Sequence, residues 1–235
     1  MKLSVLVPVY NEEKTLDAIF GKVFEIERSP LIDELEVVAV DDCSKDGSLS
    51  ILRKYADTGK IKLFRHEKNQ GKGAAVRTAV ANSTGDYVIF QDADLEYDPQ
   101  DILKMLDFAV KNGADVLYGS RFLEKKTSPL GKFHYFVNAG LTTFSNLFTG
   151  LSLTDMETCY KMFRGKIIKE INIEEDRFGL EPEITAKVAK ICTEKDLVLK
   201  EIPISYSPRR SEEGKKIGVK DGLRAVYIIL KYGLF

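Results

Sequence analysis

The chain has 235 residues, 44% hydrophobic and 30% charged, with 35 Lys and Arg against 36 Asp and Glu for a formal net charge of −1. This length buries a substantial core within one domain of ordinary to generous size. The composition excludes a disordered chain, and the charge balance excludes a polyanionic partner, so no nucleic-acid role is expected.

The N-terminal run "KLSVLVPVY" reads as a strand buried on both faces and not as a signal peptide, because "NEE" follows where a small-residue cleavage site would stand. Asn11 is placed to cap a helix whose Leu16, Ile19, Phe20 and Val23 recur at helical spacing. "LEVVAVDD" reads as a second buried strand, "DGSLSILRKYA" as a helix and "IKLFRH" as a short strand. A helix opened by glycines, "GKGAAVRTAVANS", leads to the strand "DYVIFQ". "YDPQDILKMLDFAVKNG" predicts a helix with Asp98 as cap, Pro99 in the first turn and Gly113 as stop, and "ADVLYGS" predicts a further strand. Beyond it, residues 131–153 predict one or two amphipathic helices, "TDMETCYKMFRG" a strand approach, "LEPEITAKVAKI" a helix and "DLVLKEIPISYS" a strand. Residues 209–224 predict a charged, glycine-bearing loop, followed by the apolar tail "AVYIILKYGLF". No run approaches the roughly 18 apolar residues of a membrane span, so the chain is expected to be soluble or to rest on a membrane surface. Cys43, Cys159 and Cys192 are scattered and form no CxxC pair. They argue against a disulfide framework or zinc site and suit a reducing compartment.

Strand–helix alternation of this kind implies a parallel sheet covered by helices, with ligands at the carboxyl ends of the strands. "NEE", "DDCSKDG", "NQGKG", "QDADLE" and "GSRF" each follow an apolar run and would meet at that edge. Asp92 and Asp94 leave an extended segment on the same face. A hard divalent cation held by one or two carboxylates and completed by substrate phosphates suits that pair, although a solvated turn also accommodates it. Lys72, between Gly71 and Gly73, sits beside helix-entry amides in a good anion environment. "GKG" is neither a Walker loop nor a dinucleotide fingerprint, since the further glycines and the Ser or Thr are missing. Asp46 or Ser44 would serve as helix cap after the second strand, which leaves Asp41 and Asp42 free for ligand contact. His66 and His134, the only histidines, fit no metal or triad pattern and are read as structural.

"PVYNEE", "DDCSKDG", "NQGKGAA" and "QDADLE" in this order resemble the family 2 glycosyltransferases. "YGSRF", "NLFTGLSLTDMETCYKMFR", "GLEPEITAKVAK" and "EIPISYSPRRSEEGKKIGVKDGL" make the chain similar to the branch of dolichyl-phosphate mannose synthases and polyprenyl-phosphate hexose synthases. The resemblance implies an α/β fold of the nucleotide-sugar-binding GT-A type. A mostly parallel sheet would be sandwiched by helices, with amphipathic helices and a basic loop in the C-terminal half. It implies one domain over residues 1–235, with 1–120 binding the nucleotide sugar and 121–235 the acceptor. Pro8, Tyr10, Asn11 and Glu12 would border the nucleotide pocket, Asp41 or Asp42 would contact base or ribose, and Gly71, Lys72, Gly73 and Ala93 would lie near the nucleotide. Asp92, Asp94 and Glu96 would hold Mg2+ or Mn2+. Glu96 stands where some relatives carry glutamine. Arg121, Arg209, Arg210 and Lys215 would meet the acceptor phosphate, and Asp94 and Arg121 would serve catalysis.

What the resemblance implies chemically is inverting transfer of a hexose, mannose or glucose, from a GDP- or UDP-sugar to a polyprenyl phosphate. Such an acceptor is already ionised and needs no general base. Residues 209–224 set Arg209, Arg210, Lys215, Lys216, Lys220 and Arg224 against Glu212, Glu213 and Asp221. That excess of cations suits an anionic membrane surface, as does burial of the Phe-rich 131–153 segment in the interface. A solvated loop and a helix packed on the sheet or on a second subunit are the plain alternatives. Peripheral contact at the cytoplasmic face of a membrane is therefore expected, compatible with a homo-oligomer or a membrane-protein partner. Transfer to a hydroxyl of a glycan, lipid or protein, a sugar nucleotidylyltransferase, and a non-catalytic nucleotide-sugar-binding module are the competing readings. The nucleotidylyltransferase is disfavoured because "PVYNEE" occupies the place of its glycine-rich signature.

Overall fold

A computed structural model describes residues 1–124, 132–208 and 219–233. The first half alternates as the apolar periodicity predicts: β1 (Lys2–Val9), α1 (Leu16–Glu25), β2 (Glu34–Asp41), α2 (Ser48–Asp57), β3 (Lys62–Arg65), α3 (Lys72–Asn82), β4 (Tyr87–Phe90), α4 (Gln100–Asn112) and β5 (Val116–Ser120). There follow α5 (Lys132–Thr149), β6 (Lys161–Arg164), α6 (Gly165–Glu170), α7 (Leu180–Lys195), β7 (Leu199–Pro203) and α8 (Val219–Gly233). The strands form one sheet in the order β3-β2-β1-β4-β6-β5-β7. All neighbouring pairs are parallel except those of β6, which runs antiparallel to both β4 and β5.

Burial explains the alternation. Val5, Leu6 and Val7 of β1, Val38 and Val40 of β2 and all four residues of β4 are buried, as a sheet covered on both faces requires. α1 turns Leu16, Ile19, Phe20 and Val23 inward, and α4 does so with Ile102, Met105, Leu106 and Ala109. α4 ends on Gly113 at φ 61°, the left-handed stop that glycine adopts at least cost. α5, α7 and α8 pack on one another.

Three sequence expectations are corrected here. Asn11 does not cap α1: the helix begins at Leu16 with Thr15 at its cap, and Asn11, at φ 57°, accepts from the Lys45 amide instead. The tail expected after residue 224 and the end of the basic loop form one helix, α8, which carries Arg224 to Glu175 at 2.6 Å. β6 was read only as a strand approach, and its reversed direction matters: its first residues stand at the carboxyl edge of the parallel strands. Asp98 meets its expectation within one residue, its Oδ1 accepting from the Gln100 amide while Pro99 takes the cap position.

At the far end of the sheet Glu36 is buried and accepts from Ser4 Oγ, from the Thr84 amide at 2.6 Å, from Thr84 Oγ1 at 2.7 Å and from Lys62 Nζ at 2.6 Å. Burial pushes its carboxyl up, but Lys62, Ser4 and Thr84 together outweigh that and hold it at about 2, below the ordinary 4.5. A depressed pKa stabilises the fold above the unfolded value, and that stabilisation, roughly 3 kcal/mol in full, is lost as pH falls from about 4.5 toward about 2. The loss of unfolding free energy between pH 6 and pH 3 is therefore expected to be about 2 kcal/mol smaller in Glu36→Gln than in the unsubstituted chain, as read from urea melts at both pH values.

Candidate active site

β1 and β4 lie side by side at the centre of the sheet, with their crossover helices departing in opposite directions along the strand order. The crevice at their carboxyl ends is the topological switch point of an open α/β sheet. Asn11 after β1, Cys43 after β2 and Leu95 after β4 all adopt positive φ, at 57°, 61° and 63°. Non-glycine residues rarely hold this conformation, and its concentration along one sheet edge marks a segment shaped for binding.

The first two loops are zipped together. Ser44 Oγ accepts from the Asn11 amide at 3.0 Å, Ser48 Oγ from the Glu12 amide at 2.8 Å, and Glu13 Oε2 from the Gly47 amide at 2.6 Å. Pro8 and Tyr10 are half-buried beside them. Asp46 accepts from the Ser48 amide at the start of α2, one of the two residues expected there. Asp41 is sealed: Oδ1 accepts from the Ser44 amide at 3.1 Å, while Oδ2 has no hydrogen-bond partner among the described residues and lies 3.4 Å from Arg65 Nε. Arg65 is thus the charge that faces this buried oxygen. Asp42, expected to be free for a ligand, is not. Its oxygens accept from the Gln70 amide at 2.8 Å and the Gly71 amide at 2.7 Å, and Oδ1 faces His66 Nδ1 at 2.7 Å. His66 reaches Thr78 Oγ1 with its other nitrogen at 2.9 Å, which gives it the structural role expected of it.

The glycines at the start of α3 meet protein. A Cβ on Gly73 would fall 1.9 Å from the Glu175 carbonyl oxygen, and one on Gly71, at φ 103°, 2.3 Å from that of Asp176. The Ala74 amide donates to the same Asp176 carbonyl at 3.2 Å. The glycines thus let the segment before α7 close over the entry of α3. Lys72 reaches forward, its Nζ 2.9 Å from Asp92 Oδ1 and 3.1 Å from Glu181 at the start of α7. Burial works against its charge, but Asp92, Cys159 and Glu181 hold its pKa well above the ordinary value.

In the acidic loop after β4, Ala93 is buried and Asp92 and Asp94 are half-buried. Asp94 Oδ1 accepts from the Glu96 amide at 3.1 Å, and Glu96 Oε2 accepts from Tyr206 Oη at 2.9 Å. Among the described residues no three His, Cys, Asp or Glu side chains converge to hold a cation by themselves. The donor set is hard carboxylate oxygen throughout. It fits a divalent ion such as Mg2+ that takes one or two carboxylates and completes its shell with phosphate and water.

Arg121 after β5 is clasped by Asp155, Nε to Oδ2 at 2.7 Å and Nη2 to Oδ1 at 2.8 Å, with its guanidinium 5.0 Å from the Tyr206 ring centre. Asp155 in turn is placed by Glu201 of β7, which accepts from the Thr154 and Asp155 amides. A guanidinium held in this two-point clasp orders the wall facing the acidic loop. Tyr97, Tyr160 and Tyr206 fill the space between, with ring centres 4.8 and 5.3 Å from Tyr97. Arg209, Arg210 and Lys215 lie outside the described residues. Asp155, Glu157, Cys159, Glu181 and Tyr206 escaped the reading of strand exits because they precede β6, open α7 or follow β7. The sequence signals for them are the "DMETCYK", "GLEPE" and "EIPISYS" stretches.

A seven-stranded sheet ordered in this way, with carboxylates at the end of β4 and a zipped β1–β2 edge, is a GT-A nucleotide-sugar-binding fold. The chain belongs to glycosyl transferase family 2, whose model matches residues 4–171. It is 25% identical over 239 residues to a dolichol-phosphate mannosyltransferase of Pyrococcus furiosus, covering 99% of this chain and 64% of that protein. It is 28% identical over 175 residues to a dodecaprenyl-phosphate galacturonate synthase of Rhizobium johnstonii, covering 74% of this chain and 51% of that one. The chain thus spans less than two thirds of the length of these curated relatives. The crystal structure of glucosyl-3-phosphoglycerate synthase from Mycobacterium tuberculosis with Mn2+, UDP-glucose and phosphoglyceric acid matches 99% of this chain and 79% of that one, with a TM-score of 0.71 at 16% identity. Among the described residues no helix is long and apolar enough to cross a membrane.

Proposed function

We propose that this chain transfers a hexose, mannose or glucose, from a GDP- or UDP-sugar to a polyprenyl phosphate with inversion at the anomeric carbon. The observation that carries the reading is the Asp92–Lys72–Glu181 chain beside Asp94 at the β1–β4 crevice, where a diphosphate would find both carboxylates for a cation and a fixed ammonium. Asp92 and Asp94, with Glu96, would hold Mg2+ or Mn2+, which when bound stabilises negative charge on a departing diphosphate. Lys72 orients Asp92 and adds fixed positive charge at the same place. The Asp41 carboxylate, at the end of β2, would read the base or ribose. A phosphate acceptor is ionised at neutral pH, so the reaction needs no base beside it. The two named relatives act, by their names, on dolichol and dodecaprenyl phosphates, which supports a lipid phosphate in preference to a hydroxyl. The face of α5 bearing Phe136 and Leu147, 67% and 76% exposed and with no charged residue from Phe136 to Leu147, supports contact with a membrane surface.

The reading is tested with purified chain, Mg2+ and labelled GDP-mannose or UDP-glucose, offered polyprenyl phosphate or the unphosphorylated polyprenol in mixed micelles. Label is expected in the lipid phase with the phosphate alone. Equal transfer to the alcohol would point to a hydroxyl-directed enzyme, and binding of the sugar nucleotide with no transfer to either would point to a binding module.

A further inference from the structure

Glu157 lies in the loop that enters β6, and every residue around it is pinned. The Asp155 amide donates to Glu201 at 3.0 Å, the Met156 amide to Thr142 Oγ1 at 3.1 Å and the Cys159 amide to Tyr97 Oη at 3.2 Å. Lys161, itself 1% exposed, sends its ammonium back to the carbonyls on both sides of Glu157, those of Met156 and Thr158. Yet Glu157 is only half-buried, and its inward oxygen Oε1 takes no hydrogen bond from any described residue. Native structures leave very few buried polar atoms unpaired, because each costs the desolvation that a partner would have offset. A loop fixed at every flanking position that still presents an unpaired carboxylate oxygen is the geometry of a site awaiting a donor.

Its neighbours say where that donor would come from. The charges that act on Glu157 are those of Glu181, Lys161, Arg121 and Asp155. Glu181 is the residue that Lys72 bridges to Asp92, and Asp155 is the one that holds Arg121. Glu157 is therefore near enough to feel both Glu181, which shares Lys72 with the acidic loop where a diphosphate would be bound, and Arg121, where an acceptor phosphate would arrive, and so belongs to the interval from donor to acceptor. The group that must occupy that interval is the sugar being transferred. A hexose presents hydroxyl donors and no charge, which is what an acceptor-rich carboxylate recognises. Burial and the nearby Glu181 push the Glu157 carboxyl up, against the pull of Lys161 and Arg121, and hydrogen bonds donated by a ligand would offset that.

We infer that Glu157 is a specificity-determining residue that hydrogen-bonds hydroxyl groups of the donor hexose. This rests on the transferase reading above and deepens it. Sites built to hydrogen-bond a substrate hydroxyl discriminate strongly against ligands lacking it, because the buried group is then left unpaired.

The test is calorimetric binding of UDP, UDP-glucose, GDP and GDP-mannose, each with Mg2+, to the unsubstituted chain and to Glu157→Ala and Glu157→Gln. In Glu157→Ala the Kd of the bound nucleotide sugar is expected to rise at least tenfold relative to that of its nucleoside diphosphate, whose own Kd stays within twofold. Glu157→Gln, which keeps one acceptor oxygen, is expected to fall between. Both variants are expected to melt at or above the temperature of the unsubstituted chain, since an unpaired buried acid has been removed. The inference is overturned if the ratio of the two Kd values is unchanged, if sugar nucleotide and diphosphate weaken together, or if both variants melt much lower. Binding of none of the four compounds by the unsubstituted chain would overturn the transferase reading itself, and this inference with it.

Discussion

Replacing Asp94 by asparagine is expected to lower the turnover of hexose transfer by at least about a hundredfold while leaving the fold intact. Asp94 stands half-buried in the loop after β4, and the Glu96 amide that donates to its Oδ1 at 3.1 Å finds the same acceptor in asparagine, which has nearly the same shape. What asparagine removes is the negative charge that would hold a cation against a diphosphate, so the loss belongs to chemistry and not to folding. Turnover with labelled donor, alongside an unchanged melting temperature, checks it. Near-normal metal-dependent turnover would show that the cation is held elsewhere.

The largest effect on stability is expected from Asp155→Ala. Asp155 is fully buried and meets Arg121, whose side chain is 12% exposed, through two hydrogen bonds of 2.7 and 2.8 Å. Taking away one partner of such a pair leaves an uncompensated buried charge and costs about 3–5 kcal/mol. It also frees the start of the loop that presents Glu157. A urea midpoint lowered accordingly is the expected outcome, with a smaller fall in Asp155→Asn, which keeps an acceptor for the guanidinium. An unchanged midpoint for the alanine variant would mean that the clasp contributes little and that Arg121 is held mainly by Phe122 and Tyr206, which flank its guanidinium.

Much of the frame is written in local pattern. Buried runs such as "VLV" in β1 and "YVIF" in β4 alternate with amphipathic helices such as α4, and that alternation sets a parallel sheet with its ligand edge at the strand ends. Asp92 and Asp94 could be placed at that edge because they close an apolar run. The failures share a cause: a side chain's role depends on a partner far away in sequence. Asp42 was expected to face a ligand, but the amides of Gln70 and Gly71, nearly thirty residues on, take its oxygens. Arg121 was expected to meet phosphate, and the carboxylate that clasps it, Asp155, stands 34 residues further along the chain. The glycines flanking Lys72 were placed near the nucleotide, and the backbone of Glu175 and Asp176, roughly a hundred residues on, presses on them. Glu157 and Tyr160 were unreadable for a topological reason: β6 runs against its neighbours, so residues leading into a strand join an edge otherwise built of residues leaving strands.

The segment before α7 links the entry of α3 to α8. Glu175, whose carbonyl oxygen crowds Gly73, takes Arg224 at 2.6 Å and Lys231 at 3.2 Å from α8. The helix that follows the basic segment is thereby tied to the loop beside Lys72.

The central claim, that the acidic end of β4 grips a cation together with the donor diphosphate, is tested most directly by an anomalous difference map. Crystals of this chain would be grown with Mn2+ and whichever nucleoside diphosphate it binds. The account predicts a manganese peak within about 2.5 Å of a carboxylate oxygen of Asp94 and of a diphosphate oxygen, with the base directed toward Asp41. A diphosphate bound away from the end of β4, or a metal held with no contact to Asp92, Asp94 or Glu96, would contradict it.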